Sequence, residues 1–283
     1  MVVSALGFAT KAQPEGSPGY VPLETIAEEI WDHTFQTGLN GTLFVMRAVS
    51  TAARSSGNSG RPHWYVLADM PIAPDRLRQL AQPTHTAVVT MELQKGIVGD
   101  EAILPALPIA VREAGLLDIA GRVCRSARDH GVRVLHATME ERPDGAGQAV
   151  NCKIFAISAK RRAETGRGPT DIGQPGVALA DELDVQPGDI RVPRMHGMTP
   201  FTGTELDAVI RNLGVRTIVL MGVSLNLGIT GAALNAVDLG YQVIVVRDAV
   251  VGLPKEYADA MLENTLSMIA TVAHADELIA AWG

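Results

Sequence analysis

The chain has 283 residues, 47% of them hydrophobic and 4% aromatic, with a formal net charge of -7. That length permits one large domain or two small ones, and the apolar content is enough for a substantial core. An acidic chain without a Lys/Arg run has no basic face to neutralise phosphates, which excludes nucleic acid and anionic membrane surfaces as partners. No stretch approaches the roughly 18 apolar residues of a membrane-spanning helix. The N-terminus lacks a basic region ahead of an apolar one and does not read as a signal peptide. The two cysteines, Cys124 and Cys152, lack C-x-x-C spacing, so a reduced, cytoplasmic protein without a metal or other cofactor is expected.

Residues 1–83 differ in kind from the rest. They contain an amphipathic helical pattern and end in a Ser/Gly turn, and are read as a partly helical extension that docks or oligomerises. Within residues 20–60, Trp31, Asp32, Gly41, Thr42 and Arg47 to Val49 resemble a helix segment of short-chain dehydrogenases. Gly38 stands where that family keeps an asparagine, and its nucleotide fingerprint and Y-x-x-x-K pair are missing, so no dehydrogenase activity is implied.

From about Thr84 to the C-terminus, short β-branched runs alternate with helical segments, the signature of a parallel sheet covered on both faces. Strands are predicted over 86–92, 132–139, 189–194, 217–223, 242–250 and 270–275, and helices near 109–129, 204–212, 228–239 and 256–268. Gly131, Gly214 and Gly240 sit where helices end and strands begin, as left-handed caps do. Thr204 is suited to covering a free N–H at a helix start. The stretch 142–186 is long and rich in Gly, Ala and Pro, with a helical pattern only in IFAISAKRRAE. It reads as a lid, an oligomer contact or a surface excursion.

Three segments resemble the isochorismatase-like (cysteine hydrolase) superfamily. Val88 to Gln94 is similar to the opening V-V-I-D-M-Q, with Glu92 in place of the catalytic aspartate. Arg194 to Asp207 resembles the K-x-x-x-S-A-F-x-G-T-x-L-D block. Leu213 to Thr217, Gly222 to Gly228 and Asp238 to Tyr241 resemble L-G-V-x-T, the G-V-A-T-N-x-C-V nucleophile turn and the D-A-x-x-L-G-Y helix. The resemblance implies a doubly wound α/β fold, with a mostly parallel six-stranded sheet over residues 84–283, and self-association as a homodimer or homotetramer.

The departures carry more information than the matches. In the family's amidases a carboxylate takes the proton of a cysteine thiol, a lysine stands nearby, and the thiolate attacks a carbonyl held by backbone N–H donors. Here Gly228 occupies the cysteine position, so thioester chemistry there is excluded. The lysine aligns with Met195, and Arg194 is the nearest cation. True isochorismatases also carry glycine at this point and hydrolyse a vinyl ether by protonating it, and a glycine opens space for a ring.

Glu92 is then the expected general acid, its carboxyl displaced by about 1.5 Å relative to an aspartate. Without the lysine, burial favours its protonated form unless Arg194 turns inward. His196 is the expected second titrating group, able to activate water. Gln94, Met195, Phe201, Val223, Ser224, Asn226 and Gly228 are the expected substrate contacts. Lys95, Arg142 and Lys153 are candidate anion contacts. A cis peptide between Val223 and Ser224 is also implied by the resemblance.

Plainer roles compete with these. Glu92 and His196 are also placed to cap backbone groups, Gln94 to satisfy a loop carbonyl, and Asn226 to orient its turn. Some relatives bind zinc through D-x-H-x-H after the second strand; ATMEERPDGAGQ offers Glu140, Glu141 and Asp144 without a histidine pair, so no metal is expected. The functional expectation is a cysteine-independent hydrolase of a small cyclic or carboxylated metabolite, cleaving a C–O or C–N bond. The alternatives are an inactive homologue serving as a ligand-binding or assembly module, and an amidase using Cys152.

Overall fold

A computed structural model describes residues 73–283. The helical arm expected within 1–83 and the dehydrogenase-like segment at 20–60 fall outside the described residues, apart from 73–83.

Helix α1 (Pro74–Leu80) leads through a short 3-10 turn into strand β1 (Thr86–Met91). Beyond β1 come α2 (Lys95–Val98), α3 (Ala106–Glu113), α4 (Leu116–Asp129), β2 (Arg133–Met139), α5 (Lys153–Thr165) and β3 (Ile190–Arg194). The second half runs α6 (Leu206–Asn212), β4 (Thr217–Val223), α7 (Thr230–Asp238), β5 (Gln242–Val251), α8 (Lys255–Met261), α9 (Ser267–Ile269), β6 (Thr271–Ala273) and α10 (Ala275–Trp282). The six strands form one sheet in the order β3-β2-β1-β4-β5-β6, and every pairing is parallel.

Alternation along each strand divides the core in two. Val88, Val219 and Met221 face one side, where Leu116, Val123, Leu278 and Trp282 pack. Ala87, Val89, Met91, Ile218 and Leu220 face the other, against Leu206, Ile210, Ala232, Ala236 and Leu266. Leu77 of α1 is buried in the first layer, and Trp282 Nε1 donates to Ala81 O at 2.8 Å, tying α1 to the C-terminal helix.

Three predicted elements differ. The helix expected over 109–129 is broken between α3 and α4, because Gly115 adopts φ 62° and starts a new helix. The strand expected over 270–275 stops at Ala273, since Glu277 accepts a bond from His274 N–H (2.8 Å) and α10 begins. The turn expected to open a helix at 228 is a π-helical turn, Leu225–Ile229, that runs into α7. The 142–186 segment is anchored rather than loose. It holds α5, and the isolated bridges Gln94 to Leu179 and Glu141 to Asp171 pin both its flanks.

β1 and β4 approach closely where it matters for the site. Gly222 adopts φ 124°, and a Cβ there would lie 2.2 Å from Met91 O, so no side chain fits. This brings the end of β1 and the turn after β4 together.

Candidate active site

In a doubly wound sheet with this strand order, the connections diverge between β1 and β4 and open a crevice beyond the C-terminal strand ends. Four segments reach those ends: Glu92 to Gln94 after β1, Glu140 and Glu141 after β2, Met195 to Thr199 after β3, and Ser224 to Gly228 after β4.

Glu92 adopts φ 56°, a left-handed conformation that is uncommon for a residue with a Cβ and clusters at functional positions. Its N–H donates to Ala137 O at 2.9 Å, so the strained turn is fastened to β2. Its Oε1 accepts a hydrogen bond from Arg194 Nη2. The Arg194 side chain is 3% exposed and that of Glu92 is 19%, so the carboxylate is the accessible end of the pair. Arg194 Nε donates to Gly197 O (3.2 Å), while Nη1 is buried with no acceptor.

Two expectations are thereby corrected. Arg194 turns inward, so its guanidinium faces the carboxyl of Glu92 in place of the open, unpaired surroundings expected for a general acid. Met195, which the sequence aligns with the lysine, is instead 49% exposed in a groove beside the site. Glu92 and Arg194 thus form an acid-and-cation pair at the ends of β1 and β3.

The space expected beside Gly228 is not open. A Cβ built there would lie 2.5 Å from Met91 Cε and 3.0 Å from Met91 Sδ, so the Met91 thioether fills the space that a side chain at 228 would take. Met91 is fully buried. The glycine accommodates a neighbouring methionine, and the argument for a ring-shaped substrate loses its support.

The remaining expected contacts divide clearly. Val223 is fully buried in one core layer, and Phe201 is buried in the other, its ring 6.5 Å from that of Tyr241. Neither is open to a ligand. Gln94 is also fully buried, and its amide is engaged: Nε2 donates to Met139 O (2.9 Å) and Val177 O (3.1 Å), and Oε1 accepts from Met139 N–H (2.7 Å). It clamps the ends of β2 and the 142–186 segment.

Asn226 orients its turn, accepting from Ser224 Oγ (2.6 Å) and donating to Leu253 O (3.0 Å). The Val223–Ser224 peptide is cis. Lys95 and Arg142 are paired with Asp181 and Asp144.

His196 is exposed and does not contact Glu92. It lines, with Met139, Glu141, Gln148, Phe155 and Met195, a shallow, solvent-open groove between the ends of β2 and β3 and the flank of α5. Gly197 also lines the groove and accepts the Arg194 bond, so groove and ion pair are contiguous.

Beneath the groove lies a polar network that sequence reasoning missed. Glu141 Oε2 accepts from Thr170 Oγ1 (3.0 Å) and Arg162 Nη2 (3.1 Å), and Arg162 Nη1 donates to Asp171 Oδ2 at 2.7 Å. Burial pushes the Glu141 carboxyl above its ordinary value, with Thr170 and Arg162 pulling the other way. Its side-chain partners are 21 and 29 residues distant, so no local motif announces it.

The zinc loop of some relatives corresponds to this region, and the residues present do not fit a metal. Glu140 is bound by Arg191 and Thr138, Glu141 by Arg162 and Asp144 by Arg142. Among the described residues no three His, Cys, Asp or Glu side chains cluster as a cation requires.

A second missed network crosses the sheet. Thr90 Oγ1 lies 2.7 Å from His136 Nδ1, and His136 Nε2 lies 3.3 Å from Asp189 Oδ2, which also accepts from Arg128 Nη2 at 2.8 Å. The order hydroxyl, imidazole, carboxylate is that of a catalytic triad, but Thr90 and His136 are shut off from solvent, so no substrate reaches them.

Burial holds His136 below its usual value of 6.5 despite Asp189. The imidazole is neutral in the fold, so its contribution to stability is complete above pH 6.5 and is lost as the pH falls from there through the lower folded value. Asp189, which Arg128, Gln186 N–H and His136 hold below its usual range against the opposing effect of burial, adds a loss in the same direction at lower pH. Urea midpoints measured at pH 7.5 and 5.5 are expected to drop on acidification, and His136→Gln to flatten the dependence. An equal drop in that variant would place the proton uptake elsewhere.

Among the described residues no helix is long and apolar enough to cross a membrane. A model of the isochorismatase domain matches residues 86–277. The chain is 31% identical over 186 residues to an uncharacterised isochorismatase family protein of Bacillus subtilis, YwoC, covering 65% of this chain and 85% of that one. It is 26% identical over 218 residues to the ureidoacrylate amidohydrolase RutB of Pseudomonas syringae, covering 74% and 87%. Among solved structures, an isochorismatase family protein of Burkholderia thailandensis superposes with a TM-score of 0.58 at 28% identity, over 71% of this chain and 96% of that one. The N-carbamoylsarcosine amidase of Thermoplasma acidophilum superposes with a TM-score of 0.52 at 25% identity, over 68% and 97%. The fold and these matches together show that the chain belongs to the isochorismatase family of hydrolases.

Proposed function

We propose that this hydrolase works without a cysteine nucleophile, using Glu92 as a general base and then acid to add water across a C–N or C–O bond of a small carboxylated metabolite. The observation that carries the reading is the Glu92–Arg194 pair at the ends of β1 and β3, beside a turn whose thiol position is filled by Met91.

As a carboxylate held by Arg194, Glu92 takes a proton from water. The resulting hydroxide adds to the electrophilic carbon, and Glu92 returns the proton to the departing nitrogen or oxygen. Arg194 Nη1, buried without an acceptor, is a donor for a carboxylate of the substrate or for developing negative charge. N–H groups at the start of the helical segment Leu225 to Asp238 supply further donors for a developing oxyanion. His196, in the adjoining groove, is placed to contact the leaving portion.

The test is a turnover screen across amides, ureido compounds, esters and vinyl ethers, followed by mass spectrometry, with thiols free and alkylated. Conversion insensitive to alkylation supports the reading. Conversion abolished by alkylation assigns the chemistry to Cys152, and binding without conversion across the screen leaves a ligand-binding module.

A further inference from the structure

The groove beside α5 differs from the Glu92 site in its charge. One guanidinium, Arg162, is shared between two carboxylates, Glu141 and Asp171, which leaves one negative charge uncompensated at the groove floor. The Asp171 side chain is 1% exposed and that of Glu141 is 9%, so water compensates little of it. Buried charge of one sign is costly unless a partner of the other sign arrives. Among the described residues no Lys or Arg lines the groove. Arg142, the nearest other cation along the chain, is satisfied by Asp144, and among the described residues His196 is the only base at the rim.

The walls suit a cation with an apolar body. Phe155 presents a ring, Met139 and Met195 present thioethers, and Ser158 presents a hydroxyl that can accept. Gln148 Nε2 is buried without an acceptor. An amide reverses its oxygen and nitrogen by a simple rotation, which would offer Oε1 to an incoming donor. Glu141 uses Oε2 for Thr170 and Arg162, which leaves Oε1 for a ligand.

We propose that this groove takes a protonated primary amine, held by Glu141, Gln148 and Ser158, and that the amine is the far end of the substrate whose other end is cleaved at Glu92. The second half rests on the catalytic reading above. The substrate class is then a small metabolite bearing an ammonium group a few bonds from the hydrolysed linkage.

Calorimetric titration of the full chain with n-butylammonium, and with n-butanol as its uncharged match, tests this in buffer of about 0.15 M salt, where exposed charges are largely screened. Saturable binding of n-butylammonium but not n-butanol is expected. Glu141→Gln is expected to weaken that binding about tenfold or more, through the lost charge-assisted hydrogen bond. Ala159→Phe, which places a ring in the groove from the half-exposed flank of α5, is expected to abolish it without touching the buried network.

No binding to the unsubstituted chain, equal binding of n-butanol, or unchanged affinity in either variant would overturn the proposal. Glu92→Gln serves to separate the two readings and is expected to leave n-butylammonium affinity unchanged. If that variant keeps its turnover while the groove variants lose binding, the amine site stands and the catalytic role of Glu92 falls. The reverse pattern removes the amine site alone.

Discussion

Glu92→Gln is expected to lower kcat by about three orders of magnitude or more, within the range that general acid–base groups contribute. The substitution keeps the shape of the side chain and an oxygen for Arg194 to bond, but a carboxamide cannot take a proton from water. Secondary structure and elution volume should be unchanged, because the site lies at a strand end whose backbone bond to Ala137 O persists. Glu92→Asp retains the base but withdraws it by about 1.5 Å. It is therefore expected to keep measurable turnover, reduced by about 100-fold, as near-attack geometry requires. A Gln variant as active as the Asp variant would remove Glu92 from the chemistry.

Arg162→Met is expected to cost about 3–5 kcal/mol of stability, because it strands Glu141 and Asp171 without their shared cation. The apolar stem of methionine preserves much of the packing, so the loss reports the charge. Glu141, already held above its ordinary value by burial, would then be driven to protonate. The destabilisation should accordingly be larger at pH 8 than at pH 5. Urea midpoints at the two pH values check this, with an unchanged m-value showing that the unfolded state is not altered. Arg162→Lys is expected to recover only part of the loss, since an ammonium cannot bridge two carboxylates with a planar fork. A midpoint unchanged at pH 8 would show that the network contributes nothing to the fold.

The sheet was legible because its strands are short β-branched or apolar runs, and three of them, β2, β4 and β5, follow a helix-ending glycine. Gly131, Gly214 and Gly240 all adopt positive φ where they were expected to end helices. The break at Gly115 had a visible signal, a glycine inside a helical pattern, but glycine is tolerated in helices often enough that the pattern outweighed it.

The site was harder to read for reasons of register. Shifting one residue at the end of a strand exchanges the two faces, and aligning the lysine with Met195 instead of Arg194 is such a shift. The buried guanidinium at 194 pairs with Glu92, and this is why the proposed role for Glu92 is that of a base before that of an acid. That residue 228 carries no side chain was plain from the sequence. That Met91 fills the vacated space was not, because the two residues meet only through the close approach of β1 and β4 at Gly222. The Glu141, Arg162 and Asp171 network joins the end of β2 to a helix and a loop well along the chain, and no spacing rule connects them.

A cysteine nucleophile passes through a covalent acyl-enzyme, whereas the direct attack by water proposed at Glu92 leaves the protein unmodified throughout. The measurement that separates these is the intact mass of the protein, quenched in acid during turnover of a substrate from the screen. The account predicts the unmodified mass at every time point. A transient adduct on Cys152, or on any other side chain, would contradict it.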